Sequence, residues 1–140
     1  MSPIKSILLL VIFAGFTLLS SCGSDDESNL SRTELLTQKP WKLTQTGIVG
    51  IGGSPPESTA ADDIYTFSAD GTYTFDEGAT KEDAGDPQTL TGTWEFLEDE
   101  TKIRISYSGI TITQDIIELS TSTLKVRFNF LFEIENTFGH

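Results

Sequence analysis

The sequence predicts an all-β protein, an antiparallel barrel or sandwich of seven or eight strands with one short N-terminal helix. Three observations predict it. From Trp41 onward apolar and polar residues alternate at a period of two. Turn residues interrupt that alternation at regular intervals. Past residue 30, the one helix signal is the capping box Ser31-Arg32-Thr33-Glu34, closed off by Pro40.

The elements follow in order. Ser31 is the expected N-cap, Glu34 reaches back to it, and Leu35 and Leu36 give the helix an apolar side, so it is placed at about 32–37. Trp41, Leu43 and Gln45 alternate with Lys42, Thr44 and Thr46 as a first strand. Residues 48–62, rich in Gly, Pro and Ser, read as a mobile loop. Tyr65 and Phe67, then Tyr73 and Phe75, flank the hairpin signal Ser68-Ala69-Asp70-Gly71. Tyr-Thr-Phe occurs on both sides of that turn, which reads as cross-strand pairing. Residues 77–88 form a second long loop, rich in charge and Gly.

Trp94 and Phe96 alternate with Thr93 and Glu95, and Glu98-Asp99-Glu100 turns the chain. Ile103, Ile105 and Tyr107 follow, then Ile110, Ile112 and Ile116-Ile117-Glu118-Leu119, with a turn at Ser120 to Ser122. The clearest alternation comes last. Leu124, Val126, Phe128, Phe130, Phe132 and Ile134 share one face, as one long strand or two.

The first residues have a different character. Lys5 is the only charge before Asp25, and an apolar run from Ile7 to Leu19 ends in small residues. A positive start, an apolar stretch and a small-residue cut site make a secretory signal. Leu19-Ser20-Ser21-Cys22 resembles the bacterial lipobox, and Cys22 is the only cysteine. The resemblance implies that the thiol receives a diacylglycerol, that the chain is cut before Cys22, and that the new amino group is acylated, with palmitate as a typical chain. Gly23-Ser24-Asp25-Asp26-Glu27-Ser28 resembles the surface-export signal of lipoproteins in one group of Gram-negative bacteria. It implies an outer-membrane lipoprotein facing the cell surface. The expected organisation is a signal peptide at 1–21, a flexible acidic tether at 22–30 and one domain at 31–140.

Without residues 1–21, 8 basic and 21 acidic residues remain, a formal charge of −13. Such a surface repels phosphate backbones, and no basic patch interleaved with aromatics offsets it, so nucleic acid is excluded as a partner. Acyl chains, not a polybasic face, would hold the protein at a bilayer.

The domain itself resembles a known family. A short helix enters Lys39-Pro40-Trp41-Lys42-Leu43; then come Tyr65-Thr66-Phe67-Ser68-Ala69-Asp70-Gly71-Thr72-Tyr73, Thr91-Gly92-Thr93-Trp94-Glu95-Phe96, and a closing stretch at Ile117-Glu118-Leu119-Ser120 and Ser122-Thr123-Leu124-Lys125-Val126. Order and spacing resemble the lipocalin-like domain of bacterial surface lipoproteins over residues 31–135. The resemblance implies a small antiparallel β-barrel whose open end holds a small apolar molecule. It also implies that Trp41 packs at the closed end. The Gly-x-Trp of lipocalins is not kept, because Lys39 stands at the glycine position.

Catalytic chemistry finds little support. His140 is the only histidine and is expected to fray, so there is no Ser-His or Cys-His arrangement and no zinc site. Asp62-Asp63, Asp76-Glu77, Glu82-Asp83 and Glu98-Asp99-Glu100 fall in turns and loops and read as solvated charge; a weak calcium site is the functional alternative, without the spacing of an EF-hand. No glycine-rich phosphate loop is present. No catalytic residue, metal or cofactor is therefore expected.

The aromatics either fill the barrel or line a cavity. The cavity candidates are Trp41, Tyr65, Phe67, Tyr73, Phe75, Trp94, Phe96, Phe128 and Phe130. Tyr107 and Phe132 complete the aromatic set of the strands. Two roles follow. One is a ligand-binding module for a small hydrophobic molecule. The other is a filled barrel that contacts another envelope protein.

Overall fold

The protein is described by a computed structural model for residues 29–140. The expected signal peptide, Cys22 and the expected tether up to residue 28 lie outside the described residues. Helix α1 spans Arg32–Thr37, as the capping box predicts. The Glu34 N–H donates to Ser31 Oγ (3.2 Å), and the Ser31 N–H donates to Glu34 Oε2 (2.8 Å). The two residues thereby satisfy each other's orphan donors. Leu35 and Leu36 are the buried side of this single turn and a half.

Among the described residues nine strands follow: β1 (Lys42–Ile48), β2 (Gly52–Ser54), β3 (Ile64–Phe67), β4 (Thr72–Asp76), β5 (Thr89–Leu97), β6 (Lys102–Tyr107), β7 (Ile110–Leu119), β8 (Leu124–Asn129) and β9 (Glu133–Gly139). They form one antiparallel sheet in the order β2-β1-β9-β8-β7-β6-β5-β4-β3. From β3 to β9 each strand pairs with the next in sequence. The β1–β9 ladder then joins the first strand to the last, with Leu43 opposite Phe138 and Ile48 opposite Ile134. The sheet curls until its flanks meet at a single bridge. The Trp41 N–H donates to the Tyr65 carbonyl (2.8 Å), and the Tyr65 N–H donates back to Trp41 (2.9 Å).

The count of nine corrects the expected seven or eight. Residues 52–54 pair with β1 inside what reads as a loop, because Gly52 takes a positive φ (110°) that lets the chain fold back. The long alternation from Leu124 to Ile134 is two strands. Phe130 donates its N–H to the Phe132 carbonyl (3.1 Å) at a hairpin tip, and Phe130, Leu131 and Phe132 are 79%, 79% and 63% exposed. The apolar period runs through this turn without a Gly or Pro, so nothing local marks the reversal.

The other turns follow their chemistry. Gly71 takes φ 87°, and Asp70 Oδ1 accepts from the Thr72 N–H (2.9 Å), closing the β3–β4 hairpin. Glu98, Asp99 and Glu100 all have positive φ (49°, 54° and 64°) at the β5–β6 turn.

Strand directions place α1 and the turns 68–71, 98–101 and 120–123 at one end. Loops 55–63 and 77–88 and the tips at 108–109 and 130–132 lie at the other. The first end is closed. Leu36 and Trp41 are fully buried there, and the Trp41 Nε1–H donates to the Leu36 carbonyl (2.9 Å). His140 stacks on the same indole, with centroids 4.1 Å apart, and its Nδ1 lies 2.8 Å from the Pro40 carbonyl oxygen. It is pinned, not frayed. The core continues through Phe67, Tyr73, Trp94, Ile103, Ile105, Leu124, Val126 and Phe138.

Candidate functional site

Inside the curled sheet is a cavity of about 170 Å³. Its walls come from six strands, β3, β4, β6, β7, β8 and β9, each offering alternate residues of its inner face. Four predicted residues line it: Tyr65, Phe67, Tyr73 and Phe128. They are brought together by register, since Phe67 faces Tyr73 across β3–β4, with ring centroids 5.3 Å apart.

The other five candidates lie elsewhere. Trp41 packs under α1 at the closed end, where the family resemblance expects it. Trp94 is buried over the β3–β4 hairpin, where its Nε1–H donates to the Ser68 carbonyl (2.8 Å), and Phe96 packs on its edge at 5.2 Å. Phe75 stacks on Tyr65 at 5.2 Å, outside the cavity wall. Phe130 sits on the exposed β8–β9 tip, because the chain has already left the sheet there.

Sequence reasoning did not assign seven further lining residues. Ile105, Leu124 and Phe138 belong to the core, and Ile112 and Tyr107 continue the wall. Gln114 and Asn136 are polar residues on the inner face, which an apolar-in, polar-out reading passes over. Asn136 Oδ1 accepts from Thr46 Oγ1 (2.7 Å) across β9 and β1. A mostly apolar wall with a few convergent polar groups is the usual composition of a small-molecule site. A wider groove of about 270 Å³ on the outer face, beside Gln45, Arg127 and Glu135, lacks that composition: its Arg127 already donates to Glu135 (2.8 Å).

At the open end of β3 and β4 two acidic residues are buried, against the expectation that these loop pairs are solvated. Asp63 is 7% exposed and Glu77 is 8% exposed. Ile64 pairs with Asp76, so Asp63 and Glu77 stand at the next facing positions of the same ladder. The Glu77 N–H donates to the Gln88 carbonyl (3.0 Å), which carries the β4–β5 ladder one residue further. By the alternation of the pleat, both side chains fall on the face that carries Tyr65 and Tyr73.

Burial, reinforced by the charges of Asp62, Glu77, Glu82 and Asp76, pushes the Asp63 carboxyl up to about 6. Burial also raises the phenols of Tyr65 and Tyr73, and the negative charge of Asp63 adds to both. Glu77 Oε2 is buried without a hydrogen-bond partner.

The sequence neighbours of these two behave differently. Asp62 accepts from Thr80 Oγ1 (2.7 Å) and from the N–H groups of Ala79 (2.7 Å) and Thr80 (2.9 Å). Asp76 accepts from Gln88 Nε2 (2.9 Å) and the Gly78 N–H (2.8 Å). These bonds hold both carboxyls below the usual range. Asp62 and Asp76 therefore staple the two loops, while Asp63 and Glu77 turn inward.

Comparisons with known proteins agree with this architecture. The family model described as lipocalin-like domain matches residues 38–126. A crystal structure of a lipocalin-like protein from Bacteroides uniformis superposes with a TM-score of 0.56 at 16% identity, covering 75% of this chain and 97% of that one. A crystal structure of a DUF4847 family protein from Bacteroides vulgatus superposes with a TM-score of 0.54 at 15% identity, covering 79% of this chain and 97% of that one. No curated protein matches the chain.

Proposed function

Because the chain belongs to the lipocalin-like domain family, we propose that it is a binding protein, without a catalytic step, that holds a small hydrophobic molecule inside the barrel. In the same reading it is a lipoprotein. Cys22 carries the acyl chains, residues 22–30 form the tether, and the domain faces outward from the outer membrane.

The observation that carries the ligand reading is the cavity walled by Tyr65, Phe67, Tyr73 and Phe128. Its size narrows the ligand. Pockets for drug-sized molecules span roughly 300–1,000 Å³, and this one is about 170 Å³. An apolar cavity of about 150 Å³ takes up benzene. A ring-sized molecule therefore fits, whereas a long acyl chain would need the loops to part.

Native mass spectrometry of the protein purified from its own cells tests this reading. The expected result is a reproducible added mass of a few hundred daltons or less, released by organic solvent. A clean mass, with no apolar probe bound at micromolar concentration, would overturn it.

A second reading, contact with another envelope protein, rests on Phe130, Leu131 and Phe132 at the open end. Three adjacent exposed apolar side chains on one tip are a frequent mark of an interaction surface. A single crosslinked partner, lost when the tip is made polar, would favour it.

A further inference from the structure

We propose that the mouth of the cavity is a subsite for an organic cation: the ligand carries an ammonium group between the carboxylates of Asp63 and Glu77, and its apolar body lies against Tyr65, Tyr73 and Tyr107. This rests on the carrier reading above and assigns the chemical class of what is carried.

The argument begins with an uncompensated charge. A carboxylate removed from water is costly unless it is paired or hydrogen-bonded. Glu77 and Asp63 are each more than nine-tenths buried, and Glu77 Oε2 has no partner. Among the described residues, every Lys and Arg in an ion pair serves other carboxylates: Glu95, Glu98, Asp115 and Glu135. Lys81, the cation of the neighbouring loop, donates to the Asp86 carbonyl (2.7 Å). A bound cation would supply the missing counter-charge.

An organic cation fits this mouth better than a metal ion. Calcium takes 6–8 oxygen ligands, and no three His, Cys, Asp or Glu side chains converge among the described residues. An ammonium group needs only one or two carboxylates, and it gains from aromatic faces near it. Three tyrosines line the cavity on the face that carries the two carboxyls, with Tyr73 and Tyr107 centroids 5.9 Å apart, and the charge of Asp63 reaches the phenols of Tyr65 and Tyr73. The cavity beneath accepts one apolar ring. The formal charge of −12 also concentrates cations around the protein.

The test titrates the full-length protein with 2-phenylethylamine and, separately, with 2-phenylethanol, its neutral counterpart of the same size, by calorimetry at physiological salt. The amine is expected to bind at least tenfold more tightly. Glu77→Gln and Asp63→Asn should each erase most of that preference and leave the affinity for the alcohol unchanged. The wild-type comparison stands by itself if a variant folds poorly.

Equal affinity for amine and alcohol would overturn the cation subsite while leaving the carrier reading intact. Binding of neither would overturn both. Calcium bound at micromolar concentration, and displaced by neither organic probe, would assign the carboxylates to a metal and overturn the proposal.

Discussion

The Trp41 indole donates its Nε1–H to the Leu36 carbonyl at 2.9 Å, while the Trp41 backbone exchanges two hydrogen bonds with Tyr65. One residue thereby fixes the helix to the sheet and joins the two flanks of the sheet. Trp41→Phe keeps an aromatic ring and leaves the buried Leu36 carbonyl without its donor, at an expected cost of about 1–3 kcal/mol. Trp41→Ala adds a cavity, for about 3–5 kcal/mol. Urea denaturation of the two variants checks this. A Trp41→Phe cost near zero would mean that water reaches the carbonyl and the closed end is not dry.

Gly92 sits where β5 crosses close to β6. A Cβ there would run into the Ser106 carbonyl oxygen and the Tyr107 side chain. The two strands cannot part without breaking the ladder in which Gly92 faces Tyr107. Gly92→Ala is expected to destabilise by about 1–3 kcal/mol, read as a drop in thermal midpoint. Because Tyr107 lines the cavity, the same variant should also weaken ligand uptake. An unchanged melt would show that the strands have slack at this crossing.

Asp63 gives the stability a distinct pH dependence. Its carboxyl titrates at about 6 in the fold, against an ordinary value of 3.8. A raised value means that the folded state favours the protonated form. The contribution is complete below about pH 4 and is lost as pH rises through 6. The groups facing it, Asp62, Asp76, Glu77 and Glu82, act in the same direction on it, and Tyr65 lies beside it. Asp63→Asn should therefore raise the melting temperature by a few degrees at about pH 7.5, and the gain should vanish near pH 4. A variant less stable than the parent at neutral pH would mean that Asp63 is held by a favourable partner.

The apolar tip separates stability from association. Phe130, Leu131 and Phe132 are exposed and contribute little burial. Replacing all three with Ser should leave stability within about 0.5 kcal/mol per site, measured by denaturant titration. Uptake of an apolar probe should also be unchanged, because the tip is outside the cavity wall. A large loss of stability would show that the tip folds back onto the barrel mouth.

Much of the fold is legible residue by residue. The helix is written in Ser31, Glu34 and Pro40, whose interactions span only a few positions. The β3–β4 hairpin is written in Asp70-Gly71, and the family resemblance anticipates the place of Trp41. The β8–β9 turn was hidden, because an apolar residue at a hairpin tip has the same period as one in a strand. Gln114 and Asn136 were hidden because polarity suggests an outward face, and only the ladder shows them inside. Phe75 and Phe96 have the right alternation for a lining residue, yet neighbouring rings cover them.

Helix α1, most of the strands, the antiparallel class and the acidic character of the surface are legible in the sequence by itself, because period, turn chemistry and charge are local or additive quantities. Strand β2 and the β8–β9 turn are not, because these two elements carry no local signal. The tertiary structure alone decided which aromatics share the cavity, how the sheet closes at Trp41 and Tyr65, and that Asp63 and Glu77 are buried while Asp62 and Asp76 are stapled to loops. Those outcomes depend on strand register and on which loops cover a strand end. Both are set by contacts between residues far apart in the chain, and no short window of sequence contains them.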